Sequence, residues 1–381
     1  MSARPTTHGR VALVSKPLGP PWNDGSSRLV AELLGALAEG DLGPSPRLRI
    51  FAKPGFQWPD ESVESVEIRS SGASRNLEIT RRLLGRWSAG IHHYFFAPHP
   101  SAVAVARLVS ALSGAVPFQT ICSQPRSFRR AGALCFGERV VALSRWTAER
   151  LVAGSVDAAQ IGVIAPPLRP LEQPSAERID AARRSIGFEK GQRLVIFPGD
   201  AEPGGGLRTL AQSIPEICRR EPGVTFVIAC RPKTPLAARS IRWAKELLSR
   251  RGAERSVKFV GEINDFQATL AAVDLCVLTP SSLYAKVDFP YALLEAMSLG
   301  VPAVVSSGTT LEELVTSGGG WLVPPRSPRV LASTLVAALS DRPALVEVGR
   351  EAKRIVDELC DPRRIAGDYL ELYREVTEGV L

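Results

Sequence analysis

Short apolar runs, each followed by a stretch of helical periodicity, recur along the whole of this 381-residue chain, and that alternation limits the fold more than any other feature. Strand-like runs occur at 10–15, 48–52, 90–95, 118–122, 139–143 and 161–165, then again at 193–198, 225–229, 257–260, 275–279 and 301–306. Many are apolar at nearly every position and rich in Val and Ile, as parallel strands covered on both faces must be. Strand, helix and strand in turn give a parallel sheet with helices on both sides. The series is broken at APPLRP (165–170), a stiff proline-rich joint between two halves of the same layout. The expected fold is therefore α/β, with two doubly wound Rossmann-like domains, 1–168 and 169–360, facing across a cleft. A last helix within 361–381, carrying Ile365, Tyr369, Leu370, Leu372 and Tyr373, is expected to pack back toward the first domain.

Bulk properties exclude several classes. The 45% hydrophobic and 23% charged content is that of an ordinary soluble protein. Residues 1–10 are polar, so no leader is expected, and the longest apolar stretch, 101–116, is interrupted by Arg107. The six cysteines (122, 135, 218, 230, 276, 360) show no metal-like spacing and read as reduced thiols of a cytoplasmic protein. The net charge of +8 is uneven: residues 1–168 hold 19 Lys and Arg against 12 Asp and Glu, a difference of +7. Arg75, Arg81, Arg82 and Arg86 share one expected helix, and Arg126, Arg129 and Arg130 one loop. Such charge attracts phosphates, and peripheral contact with an anionic membrane is one expectation. No groove-reading motif appears and aromatic residues are sparse, so nucleic acid is not expected as a partner.

The run KVDFPYALLEAMSLGVPAVV (286–305) places one carboxylate, Glu295, inside an apolar segment. Asp288, Phe289 and Pro290 read as a helix start, with Asp288 able to cap it. Gly300 and Pro302 end the helix before the next strand. A strand–loop–helix–strand order sets the loop 280–290 at the carboxyl edge of a parallel sheet, where open α/β folds bind ligands. Glu295 is then either a solvated helix residue or a ligand-binding acid one turn inside a helix whose first amides can hold phosphate.

FPYALLEAM (289–297), the preceding DLCVLTPS (274–281), GGGWLVPP (318–325), the closing YLELY (369–373), ALSR (142–145) and Gly25 in the first loop resemble the retaining, family-4-type glycosyltransferases of the GT-B fold. The likeness implies transfer of a sugar from a nucleotide diphosphate sugar, the donor substrate, to a lipid, glycan or small-molecule acceptor with retained anomeric configuration. It needs no other cofactor. By this resemblance Glu295 would accept hydrogen bonds from the ribose hydroxyls, and the backbone amides of Tyr291 and Ala292 would face the diphosphate. Gly25 and Gly199 would let backbone approach the phosphates. His93 would stand on the acceptor side near the transferred sugar, with His99 the second choice; metal binding there is not expected.

Two departures stand out. The family's first glutamate position is Val287 here, and Asp288, one residue later, would either contact the donor sugar or only cap the helix. The family's Gly-Arg followed by Lys-Gly appears as Gly199-Asp200 followed by Gly204-Gly205, so both cations are absent. Arg231 or Lys233, after the strand at 225–229, would replace that charge, with Arg208 a weaker substitute. A catalytically inactive nucleotide- or glycan-binding protein of the same fold is the alternative reading; an epimerase or phosphorylase on this fold is a third.

Overall fold

The computed structural model describes residues 9–22, 24–39, 46–85, 90–97, 99–188, 191–202 and 204–378. Sequence readings that fall on residues 1–8, Asn23, Arg86, Pro98, Pro203 and 379–381 lie outside the described residues. The chain divides into two compact units. One comprises Met1–Arg169, Tyr284–Asp288 and Cys360–Leu381; the other comprises Pro170–Leu283 and Phe289–Leu359.

The first unit runs β1 (Arg10–Leu18), α1 (Gly25–Glu39), β2 (Arg47–Ala52), β3 (Val63–Glu67), α2 (Gly72–Leu83), β4 (Ile91–Phe95), α3 (Pro100–Ser113), β5 (Val116–Ile121), α4 (Ala131–Leu134), β6 (Arg139–Ala142), α5 (Arg145–Ala153) and β7 (Ile161–Val163). Among the described residues these strands form one seven-stranded sheet, β3-β2-β1-β4-β5-β6-β7, and every pairing is parallel. The second unit runs α6 (Ala176–Ser185), β8 (Arg193–Phe197), α7 (Leu207–Arg220), β9 (Val224–Ala229), α8 (Pro235–Arg250), β10 (Val257–Val260), α9 (Phe266–Ala271), β11 (Leu275–Leu278), α10 (Tyr291–Ser298), β12 (Ala303–Ser306), α11 (Glu312–Val315), β13 (Gly320–Val323), α12 (Pro328–Ser340) and α13 (Arg342–Leu359). Its sheet is β10-β9-β8-β11-β12-β13, again parallel throughout. The closing helix α14 (Pro362–Glu378) belongs to the first unit.

Burial explains the composition of these strands. Leu194, Val195, Ile196 and Phe197 of β8 are at most 1% exposed, which demands helices on both faces. β3 differs: its sequence VESVE lies at the sheet edge, where one line of backbone groups is unpaired and burial is only partial, so Glu and Ser are tolerated. In the first unit α14 lays Tyr369 and Tyr373 against Phe118 of β5, with ring centroids 6.3 and 5.1 Å apart. A buried aromatic ring removes about 150–250 Å² from water, roughly 4–6 kcal/mol before conformational entropy is deducted. Those two rings therefore hold α14 in place.

Each sheet reverses its direction of growth once, between β1 and β4 and between β8 and β11. Right-handed crossovers then send the helices that follow those strands to opposite faces. A crevice opens where they part, at the carboxyl ends of the strands.

Candidate functional site

In the second unit the loops after β8 and β11 meet at the point of reversal. The Ser281 amide donates to the Gly204 carbonyl at 2.7 Å. Gly206 caps α7 with φ of +100°, and a Cβ there would stand 2.7 Å from the Thr279 carbonyl oxygen. Only glycine permits both that backbone and that approach. A Cβ on Gly199 would strike the Phe197 ring at 2.3 Å, so that glycine gives room to its own neighbour.

Helix α10 starts beyond the second loop. Its cap is Pro290, whose carbonyl accepts from the Leu293 and Leu294 amides at 2.9 and 3.2 Å. The amides of Tyr291 and Ala292 precede that ladder and have no acceptor within the helix. Tyr291, Leu293, Leu294, Ala296, Met297 and Ser298 are all buried, whereas Ala292 and Glu295 are only half-buried. Glu295 thus lies on the one accessible stripe of α10, beside a residue as small as Ala. A carboxylate there sits within a turn of the helix's positive end.

A cavity of about 550 Å³ adjoins these loops, lined in part by Gly204, Gly206, Thr279, Ser281, Arg208 and Arg326. The cations expected from the loop after β9 stand elsewhere. Arg231 is half-buried and ion-paired with Glu262 at 3.5 Å, and Lys233 is exposed ahead of α8. Neither lines the cavity.

The residues of the first unit are placed differently from their sequence reading. His93 is fully buried on β4, with Nδ1 2.6 Å from the Tyr373 hydroxyl and Nε2 2.7 Å from Thr120 Oγ1. Tyr369 Oη in turn lies 3.2 Å from Thr120 Oγ1. Burial holds the imidazole well below the ordinary histidine range, so it is neutral. Both ring nitrogens are occupied, and no face is open to an acceptor. This corrects the acceptor-side expectation: here His93 ties β4 to α14. His99 is exposed at the start of α3, its Nδ1 3.0 Å from Ser101 Oγ.

Asp288 is 1% exposed and lies in the first unit. Its Oδ1 accepts from Gln124 Nε2 at 3.0 Å and its Oδ2 from the Ser144 hydroxyl at 2.7 Å. Burial pushes the carboxyl up, and the bonds from Ser144, Thr147 and Gln124 offset part of that. It does not cap α10, and Gln124 and Ser144 bond its two oxygens from within the first unit. The segment around it docks by backbone too: Gln124 N–H donates to the Lys286 carbonyl and Ala285 N–H to the Gln124 carbonyl, both at 3.1 Å. Gly25, read as a phosphate approach, is met instead by Val287, whose methyls lie 3.2 and 3.3 Å from the Cβ that Gly25 lacks. Gln124 carried no sequence signal, while Ser144 stood in the ALSR segment without a role.

A second cavity, about 460 Å³, lies in the first unit beside the reversal between β1 and β4. Lys16, Arg75 and Ser27 line it together with apolar Ile79, Val105 and Val109. Around it, α3 buries Val103, Ala106 and Val109 yet exposes Val105, Leu108 and Leu112 at 47, 60 and 66%. A helix apolar on both faces is unusual at a surface exposed to water alone.

Residues 192–341 match the family described as glycosyl transferases group 1. An uncharacterised glycosyltransferase of Methanocaldococcus jannaschii is 28% identical over 199 residues, 51% of this chain and 48% of that protein. The lipopolysaccharide core biosynthesis mannosyltransferase LpsB of Rhizobium meliloti is 26% identical over 210 residues, 53% of this chain and 58% of that one. The chain thus spans about half the length of the curated relatives it matches. Among solved structures, Anabaena HepE in complex with UDP and glucose is similar with a TM-score of 0.76 at 18% identity, over 97% of this chain and 100% of that one. Sucrose-phosphate synthase from Thermosynechococcus elongatus is similar with a TM-score of 0.80 at 18% identity, over the same shares. The described chain therefore has the two-unit GT-B fold of its glycosyltransferase neighbours, and its segment 192–341 matches the glycosyl transferases group 1 model.

Proposed function

We propose that the protein is a retaining glycosyltransferase that moves a sugar from a nucleotide diphosphate sugar to an amphipathic acceptor. The observation that carries this reading is Glu295, half-buried on the accessible stripe of α10 at the point where the second sheet reverses, within the group 1 segment. In such a site the carboxylate accepts from two ribose hydroxyls and fixes the nucleoside. The first-turn amides of α10 then face the diphosphate, on which negative charge grows as the bond from the anomeric carbon to oxygen breaks. Stabilising that charge is the enzyme's main task, because the leaving diphosphate can itself take the acceptor's proton. With His93 and Asp288 committed to protein partners, no side chain of theirs is asked to act as a base.

The acceptor side is read from the first unit. Its cavity is apolar along one wall and cationic at Lys16 and Arg75, and α3 exposes three large apolar residues. Arg81 and Arg82 are exposed on α2. That combination suits an acceptor held in an anionic bilayer, to which the protein docks peripherally. No described helix is long and apolar enough to cross a membrane.

Incubation with UDP-, GDP- and ADP-sugars tests the reading through release of nucleoside diphosphate. Glu295→Gln is expected to lower that release by at least about tenfold, the scale of one lost charged hydrogen bond. Equal turnover in this variant refutes the donor site, and an inverted product anomer refutes retention. Sedimentation with phosphatidylglycerol vesicles at low and high salt tests docking. Salt-sensitive binding that Leu108→Asp abolishes is the expected result.

A further inference from the structure

We infer that the donor's diphosphate is gripped in the second unit by Arg326, reaching in from the loop after β13, together with Arg208 of α7; this rests on the glycosyltransferase reading above. The starting point is charge. Arg208, Arg239 and Arg326 all line the 550 Å³ cavity beside the loops after β8 and β11, and none of them forms an ion pair among the described residues. Glu202 also lines it, as the one carboxylate, with its Oε1 accepting from the Thr234 hydroxyl. Three guanidinium groups against that single carboxylate leave the lining net positive, which favours entry of an anion.

The second observation is backbone geometry. Arg326 has φ of +58°, the left-handed region that an L side chain occupies only at a cost and that Gly or Asn normally fills. Nothing local repays an arginine there: the side chain is exposed, and its Nη2 makes one long bond, 3.4 Å, to Ser281 Oγ. That bond carries the guanidinium to the loop after β11, whose Ser281 amide holds Gly204. Strain kept at an exposed cation points to a ligand.

The third is an unmet polar group. Thr279 lines the same cavity at 1% exposure, and its Oγ1 has no hydrogen-bond partner among the described residues. Buried hydroxyls normally find partners. Arg208, at the first positions of α7 behind Gly206, rests its guanidinium 4.3 Å from the Trp243 ring centroid. Stacking fixes the plane of the fork and leaves its edge free for phosphate oxygens. Two forks, a hydroxyl and the positive end of α7 suit two linked phosphates better than a single carboxylate.

Calorimetric titration of the full chain with UDP, GDP, ADP, the matching nucleosides and inorganic pyrophosphate tests this. Arg326→Gly removes the guanidinium and relieves the strained backbone, so its thermal midpoint without ligand should rise or hold while diphosphate affinity falls about tenfold. Arg208→Gln should fall similarly, and nucleoside affinity should change less than about twofold in both. A diphosphate bound equally by the wild type and both variants overturns the clamp and leaves the glycosyltransferase reading standing. Parallel loss of nucleoside and diphosphate also overturns it, since that is general damage to the unit. Binding of pyrophosphate without any nucleoside diphosphate overturns the donor assignment, as does binding of neither.

Discussion

Substituting His93 by Gln isolates one buried titration, and its size follows from the structure. His93 is fully enclosed, and burial keeps its folded pKa well below the ordinary 6.5. On unfolding it regains that ordinary value. As pH falls below about 6.5, the unfolded chain takes up a proton that the folded one does not, so stability is lost on acidification. The loss continues until the folded pKa is reached. With the folded ring still neutral, the unfolded state gains about 1.4 kcal/mol between about pH 7.5 and 5.5 from this group. Gln has no such proton, so its variant should lack that increment even though it is less stable at every pH.

Urea unfolding followed by circular dichroism at the two pH values supplies the test, read as wild type minus variant so that all other titrations cancel. Tyr373→Phe serves as the control. It removes the hydroxyl 2.6 Å from Nδ1, should cost about 1–2 kcal/mol, and should keep the pH-dependent increment. Identical pH dependence in the wild type and His93→Gln would refute the reasoning, because it requires either a charged His93 in the fold or an imidazole open to water.

Asp288 carries the opposite sign. Its folded pKa is raised above 3.8, so the folded state holds the proton more tightly and stability falls as pH rises through the interval above that value. Asp288→Asn should remove that slope, and Asp288→Ala should cost about 2–4 kcal/mol by stranding Gln124 Nε2 and the Ser144 hydroxyl, both measured by the same unfolding assay. Gly206→Ala sets a Cβ 2.7 Å from a backbone oxygen at φ of +100°, and a loss of at least about 2 kcal/mol is expected in thermal unfolding.

The layout of the fold was legible because buried parallel strands must be apolar along their length, as β11, Leu194–Phe197 of β8 and Ala303–Val305 of β12 are. The end of α10 was legible for a different reason: Gly300 takes φ of +82° just beyond it, as a left-handed residue there requires. β3 was not, since an edge strand written VESVE has neither an apolar run nor clean alternation. Arg231 or Lys233 was read as replacing the missing diphosphate charge from its position after β9, but a strand end says nothing of which way the loop turns. Arg326 left a fainter trace, a cation in the turn PPRSP where a glycine would sit without strain. His93 misled because its acceptor-side role was carried over from the family resemblance, and IHHYF shows nothing of what covers β4. The tyrosines that close over it, Tyr369 and Tyr373, lie up to 280 residues further along the chain.

Asp288 shows most clearly where local reading stops. From its neighbours in sequence it had two roles open to it, capping α10 or touching a sugar, and both assume that it shares a unit with the helix that follows. It does not. Tyr284–Asp288 belongs to the first unit while residues on either side belong to the second, and within that unit Asp288 meets Gln124 and Ser144. Val287, standing where the resembling family has an acid, meets Gly25 there instead. An acid at 287 would bring an unpaired charge against α1, whereas a valine fills the space that Gly25 leaves. Val287 and Asp288 therefore form one adaptation: an apolar residue and a buried, bonded acid fasten this segment, and Glu295, seven residues beyond Asp288 on α10, lies on that helix's accessible stripe.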